Sequence, residues 1–581
     1  MSIDIETYRL KAQEAIEYVF VKEYHNSLGI PMPIVKMLLP DDANYSTGQY
    51  YITIDKTWQI HLNFGKLPIS YHEFQNEVKV LTRHEIEHYM CCPFDVITHF
   101  RMLKRIRDVY YKHFSHLGIN IEYACGAISN QAADIIVDTK NYYRHSKETL
   151  KSEIDWIKIG ANISACPRHC KLMFLTKEAI WKEDLGINET DPEFLKIVHQ
   201  LADSFTKNGI EDKSSFLDKV EEYAEIFFKL YVEDQKNPQQ SSQQGSQQQS
   251  GQQGSQQQSG QQGSQQQSGQ QGSQQQSGQW GVGRPKDGDE HGNAFVFADP
   301  DKVKEAIEVL AEETSVEEFI DLLAIAGIIG MSDKQKGVLW FNVQSANIIP
   351  IVEFSNTGNK SSYTYPSVWR IGDPIEELDL MLTYMTSPRL IPGMTTKKWE
   401  YVSNDDNGTE SKQMDLLLVV DTSGSMGSVM KESANMHQAV LASYGILSYF
   451  ESTKSKVAFI GFSDKIDAYV DWSDKYDDVR ERLLTNGHGG TKFPISRIKS
   501  TLDVRSRDLV TVLITDGDLG NINESVSYFR DYLNDDNKLY IFLLGGSKSL
   551  HSYEPLKNIG AKIYNANNAN EFCDMVLTDM E

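Results

Sequence analysis

Apolar residues recur every three or four positions over Ile5–Tyr24, Glu73–Cys91, Glu122–Tyr143 and, in two blocks, Asp191–Asp234. Each stretch is therefore expected to be a helix with one buried face. Gln49–Phe64 breaks that rhythm: it is aromatic and β-branched, and Asp55-Lys56 in its middle predicts a hairpin turn. Pro93 should end the second helix. Between Gln243 and Gly278 the nonamer QQGSQQQSG repeats four times without an apolar or charged residue. Such a segment cannot bury a core, so a disordered linker is expected over 237–294, leaving its flanks free to move. Beyond it, Pro300–Ala326 and Ile375–Met385 have helical spacing, and Val338–Phe354 holds two short strand-like runs. From Met414 onward, apolar runs at Leu416–Val420, Val457–Phe462, Leu509–Thr515 and Leu539–Leu544 alternate with amphipathic helices. That alternation predicts a parallel sheet covered on both faces.

The expected organisation is a multidomain chain. A mainly helical α+β domain spans 1–236, the linker 237–294, and a helical or mixed segment 295–413 that packs on the domain after it. A doubly wound, Rossmann-like α/β domain spans 414–581. The charge narrows the function: 57 Lys and Arg against 81 Asp and Glu leave a net −24, which argues against nucleic acid or an anionic membrane as partner. No apolar run approaches the ~20 residues needed to span a bilayer. The start has no basic region followed by an apolar core, so no signal peptide is expected. Six irregularly spaced cysteines suit a reducing cytoplasm.

The sharpest chemical signal is His84-Glu85-Ile86-Glu87-His88. Residues four apart share a helix face, so two imidazoles stand side by side with a carboxylate next to them. This is the His-Glu-x-x-His arrangement of zinc peptidases, with Glu85 as general base. A third ligand is expected from Asn130, Asp134 and Asp138, a polar stripe of fourfold spacing on an otherwise apolar helix. Asp134 is the preferred ligand. Asp138 is the alternative, or a carboxylate that orients a histidine. Cys92 is a weaker candidate ligand, and Tyr142, Tyr143 or His145 could stabilise an oxyanion. Cys166, His169 and Cys170 could hold a structural metal, although buried free thiols are the default reading.

The succession His-Glu-x-x-His, then Asn-x-Ala-x-Asp-x-x-Val-Asp, resembles a bacterial metallopeptidase domain found fused to a C-terminal von Willebrand factor A (VWA)-like domain. The resemblance implies a zincin-like fold and Asp134 as third ligand. That family usually has Asn at the position of Asp138.

A second metal signature lies downstream. A buried strand ends in Asp421-Thr-Ser423-Gly-Ser425, Thr491 follows Gly489-Gly490, and Asp516 follows the next apolar strand. These hard oxygen donors at strand ends suit Mg²⁺. The set resembles the metal-ion-dependent adhesion site of VWA domains. The resemblance implies that Ser423, Ser425 and Thr491 touch Mg²⁺, that Asp421 and Asp516 act mostly through water, and that a partner carboxylate completes the shell. Relatives of this arrangement work beside MoxR-type AAA+ ATPases. The expected function is thus a cytoplasmic zinc metallopeptidase with a Mg²⁺-dependent recruiting domain. The alternative is a non-catalytic, metal-dependent adaptor for such an ATPase.

Overall fold

The computed structural model describes residues 5–28, 30–42, 50–54, 59–64, 70–159, 163–236, 300–326, 328, 331–348, 363–369, 397–402, 414–505, 508–517, 519, 521–535, 537–545 and 551–566. The chain divides into two units, 1–336 and 337–581.

The first unit is helical with one small sheet. Helix α1 (Ile5–Glu17) leads to strands β1 (Ile34–Met37), β2 (Tyr50–Ile54) and β3 (Gln59–Phe64). β3 is central, antiparallel to β2 with Tyr50 opposite Phe64 and parallel to β1. The expected hairpin is β2–β3, its Asp55-Lys56 turn lying outside the described residues. The sequence reading missed β1. Helix α2 (Tyr71–Met90) starts at Ser70, whose hydroxyl accepts from the Glu73 N–H. Its Phe74, Val78 and Ile86 join Ala12 and Ile16 of α1 and Val35, Ile60 and Leu62 of the sheet in one core. That leaves the histidine face of α2 for the helices on its other side. Helix α3 (Val96–Val109) is capped by Asp95, which accepts from Thr98 N–H at 2.7 Å. Helix α4 (Ile121–Ile159) runs well past its expected end at Tyr143, with one break from helical angles at His145. Helices α5 (Arg168–Trp181), α6 (Pro192–Thr206) and α7 (Phe216–Lys236) follow.

Helices α8 (Pro300–Glu313) and α9 (Val316–Ile325) also belong to this unit. This corrects the expectation that all of 295–413 packs on the C-terminal domain. The reason is complementary charge around an apolar seam. From α3, Lys104 reaches Glu318 at 3.1 Å and Arg107 reaches Asp321 at 2.7 Å, and Arg101 pairs with Glu313. Leu310, Phe319, Leu322 and Leu323 are fully buried. The repeat segment lies outside the described residues.

Helix α10 (Asp333–Ile348), which spans the division at 336/337, replaces the beginning of the strand-like stretch expected over Val338–Phe354, whose residues 349–354 lie outside the described residues. Ser332 and Gln335 explain it: Ser332 Oγ accepts from Gln335 N–H, and the Gln335 side chain accepts from Ser332 N–H at 2.9 Å, a capping box. Buried positions 336, 337, 340, 341 and 345 then fall on one helical face. A hairpin of β4 (Tyr363–Val368) and β5 (Lys397–Val402) follows. The helix expected at Ile375–Met385 and Cys573 lie outside the described residues.

The main sheet comprises β6 (Asp415–Asp421), β7 (Val457–Phe462), β8 (Ile466–Ser473), β9 (Leu509–Thr515), β10 (Lys538–Leu544) and β11 (Lys562–Ala566), interleaved with helices α11 (Asn435–Ser452), α12 (Tyr476–Leu483), α13 (Ile495–Leu502) and α14 (Val526–Asn534). The strand order is β11-β10-β9-β6-β7-β8. Residues 416–420 of β6 are wholly buried, as a strand covered on both faces requires. Leu417 and Val419 share a core with Ile498, Leu502 and Phe529 from the helices. The sheet is mixed rather than parallel throughout, because β8 runs antiparallel to β7. Only Ser463-Asp464-Lys465 join those two strands, too few residues for a crossover helix. The chain winds outward from β6 to β7 and then returns to β9 on the other side of β6. This reversal opens a crevice at the carboxyl ends of β6 and β9.

Candidate metal centres

α2 and α4 meet along their polar faces. His84 and His88 present their Nε2 atoms to each other at 3.0 Å, and Asp134 Oδ1 from α4 lies 3.4 Å from the first and 3.3 Å from the second. The outer nitrogens are already engaged. His84 Nδ1 is 2.6 Å from Asp138 Oδ1, and His88 Nδ1 is 2.8 Å from the carbonyl oxygen of Cys92. A carbonyl can only accept, so His88 carries its proton on Nδ1, and a carboxylate partner assigns the same tautomer to His84. Both Nε2 atoms then offer lone pairs towards a third electron-rich atom. Three acceptors packed so closely repel unless a proton or a metal ion lies among them. A tetrahedral ion with bonds of about 2.0–2.1 Å would hold its donors about 3.3 Å apart. The observed separations fit that spacing.

Electrostatics point the same way. Burial opposes charge on His84, but Asp138 and Asp134 outweigh it and hold its pKa well above the usual imidazole value. The pocket therefore favours positive charge. Asp138 is held below the ordinary aspartate range, the burial penalty being overcome by Lys177 and His84. Lys177 Nζ lies 2.5 Å from Asp138 Oδ2 and 3.0 Å from Glu153. The two carboxylates left open by the sequence thus have different positions. Asp134 faces the Nε2 pair, and Asp138 faces the far side of His84.

Glu85 is 1% exposed, and its Oε1 has no hydrogen-bond partner among the described residues. A buried carboxylate oxygen in that state is suited to take a proton or face a cation. The other candidates lie elsewhere. Cys92 contributes its carbonyl, and burial pushes its thiol pKa well up, which disfavours a thiolate ligand. Tyr142 stacks on Trp181 and donates to Glu183, Tyr143 is exposed, and His145 lies near Glu23. His169 pairs with Asp234 at 2.9 Å, and burial pushes Cys170 up to about 12. Among the described residues, His84, His88 and Asp134 are the group of three such ligands close enough to share an ion. Sequence reasoning missed Lys177 and Glu153. Their only signal was lysine on an amphipathic helix, which ordinarily means surface.

The second centre occupies the crevice at β6 and β9. Asp421, the last residue of β6, accepts from Ser423 N–H at 2.9 Å and from the Thr515 hydroxyl at 2.6 Å. Ser423 Oγ and Ser425 Oγ are 3.1 Å apart, and Ser425 donates to Asp516 at 3.0 Å. Asn435 at the start of α11 donates to the other Asp516 oxygen at 3.2 Å. Asp421, Ser423, Ser425 and Asp516 therefore come together. The Thr491 loop is tied alongside by a bond from Gly424 N–H to the Gly489 carbonyl at 3.3 Å. Gly489 has φ +104, and a Cβ there would lie 3.0 Å from Asp464, so this turn requires glycine. Thr515 and Asn435 were not foreseen.

No protein-family model and no curated protein matches the chain. Among solved structures it is similar to the conserved hypothetical protein BatB from Bacteroides thetaiotaomicron, at 13% identity over 29% of this chain and 98% of that one, with a TM-score of 0.25. The fold of the second unit rests on its own strand order, not on this likeness. No helix among the described residues is long and apolar enough to cross a membrane.

Proposed function

We propose that this chain is a zinc-dependent metallopeptidase whose C-terminal VWA-like domain recruits a partner or substrate through Mg²⁺, in the cytoplasm and beside a MoxR-type AAA+ ATPase. The observation that carries the peptidase reading is the grouping of His84, His88 and Asp134, with the buried Glu85 directly after His84 on α2 and its Oε1 without a hydrogen-bond partner among the described residues. His84, His88 and Asp134 would hold zinc, which supplies a Lewis acid that polarises a carbonyl and acidifies water. Glu85 takes up a proton at Oε1 and returns it to the leaving amine. Asp138 and the Cys92 carbonyl keep the two rings turned for binding. In the other domain Ser423, Ser425 and Thr491 would hold Mg²⁺ directly, with Asp421 and Asp516 behind them. The ATPase partner rests on the family resemblance alone.

The test is zinc content and peptide cleavage for the wild type and Glu85→Gln. Equal zinc, with cleavage by the wild type reduced at least ~100-fold in the variant, is the expected outcome. A second reading has its own support. His84, Glu85, His88 and Asp134 are each no more than 5% exposed, which suits a structural zinc in a non-catalytic adaptor. Equal zinc with no cleavage by either protein, the chain itself included as substrate, would favour that reading.

A further inference from the structure

We infer that Lys177, backed by Glu153, is a positioning residue of the first metal centre: it pins Asp138 and thereby fixes which nitrogen of His84 faces the ion. The inference rests on the reading of His84, His88 and Asp134 as zinc ligands. Lys177 comes from α5, outside the two motif helices, and its side chain is only 2% exposed. Burying an ammonium among helices is unfavourable, and an apolar side chain of similar volume would stabilise the fold equally well. A local need for the charge is the better account. Asp138 is held at both oxygens, Oδ1 by His84 Nδ1 and Oδ2 by Lys177 Nζ. Without the second hold its carboxylate could rotate about its terminal torsion and release the imidazole, which could then turn its other nitrogen inward. Glu153, 3.0 Å from the same ammonium, holds Lys177 from behind. The line Glu153–Lys177–Asp138–His84 therefore crosses from α4 to α5, back to α4 and on to α2 with each contact at 3.0 Å or less.

The test is a double-mutant cycle on zinc affinity in the full chain, measured by competition with a chelator. Lys177→Met is expected to weaken zinc binding about 10–100-fold, the usual effect of losing an outer partner of a metal-bound histidine. In an Asp138→Asn background the same substitution should change affinity by no more than about twofold, because its effect passes through Asp138. An equal effect in both backgrounds, or none in the first, overturns the inference. A second measurement needs no variant. Nitrogen-15 NMR of the zinc-loaded wild type should show His84 bound to the ion through Nε2 with its proton on Nδ1, and coordination through Nδ1 overturns the inference even if Lys177→Met fails to fold. If the wild type takes up no zinc, the metal reading fails and the inference falls with it; zinc uptake that Lys177→Met leaves unchanged overturns the inference alone.

Discussion

Glu85 and Glu87 stand two residues apart on the same helix, both buried, with different neighbours. Glu87 is ion-paired at both oxygens: Lys140 lies 2.9 Å from one, and Arg144 at 2.8 Å and Tyr24 at 3.1 Å reach the other. Glu85 keeps an oxygen without a hydrogen-bond partner among the described residues. Glu87 is therefore read as structural and Glu85 as chemical. Replacing Glu87 by Gln would leave Lys140 and Arg144 facing a neutral amide. The expected loss is about 3–5 kcal/mol of unfolding free energy, seen as a lower urea midpoint, with zinc stoichiometry unchanged. A variant that loses zinc at full stability would show that Glu87 serves the metal instead. The motif itself was legible because fourfold spacing fixes which side chains share a helix face. The division of labour between Asp134 and Asp138 was not. Both lie on the same stripe of α4, and only the height at which α2 crosses it sets one against Nε2 and the other against Nδ1.

At the scale of elements, periodicity foretold most helices but few of their neighbours. It identified Pro300–Ala326 as helical and gave no means of knowing that α3 would offer three basic residues to it. It took the first part of Val338–Phe354 for a strand because Val, Trp and Phe are common there, although the capping box at Ser332 and Gln335 marked a helix start. It also missed α5, whose N-terminus is tied to the last turns of α7. Arg168 and His169 both reach Asp234, at 2.9 Å each. Burial would raise the Asp234 pKa, but its bonds to His169 and Arg168 prevail and hold it below the ordinary aspartate value. A carboxylate whose folded pKa lies below its unfolded one stabilises the fold above its unfolded pKa of about 3.9, and that contribution is lost as pH falls through the folded value. The stability gap between wild type and Asp234→Asn should thus be full at about pH 6 and shrink below about pH 4. Urea midpoints against pH measure it. A gap that widens in acid would mean that the neutral carboxyl, not the carboxylate, holds α7.

On the scale of the whole molecule, the two candidate metal centres lie in different units and offer different chemistry. The first is built from imidazole and carboxylate enclosed by helices, and the second from hydroxyls and carboxylates at strand ends. The net charge of −24 suits a chain that gathers cations, yet a charge total cannot say where they bind. The repeat segment suggested that the division between units would fall over 237–294. The boundary falls instead at 336/337, with α7 and α8 in the same unit. Two units with separate cores should unfold in two calorimetric transitions, each answering to its own ion. Withdrawing zinc with a zinc-selective chelator should lower one transition and leave the other in place. Adding Mg²⁺ to a hundredfold excess over its dissociation constant should stabilise the second by about 2.7 kcal/mol, a rise of roughly 5–10 °C for a domain of this size. Ser425→Ala combined with Asp516→Asn should abolish that rise while leaving the zinc-sensitive transition where it was. A shift of both transitions by either ion would mean that the units unfold together, and the centres would then have to be treated as one thermodynamic system.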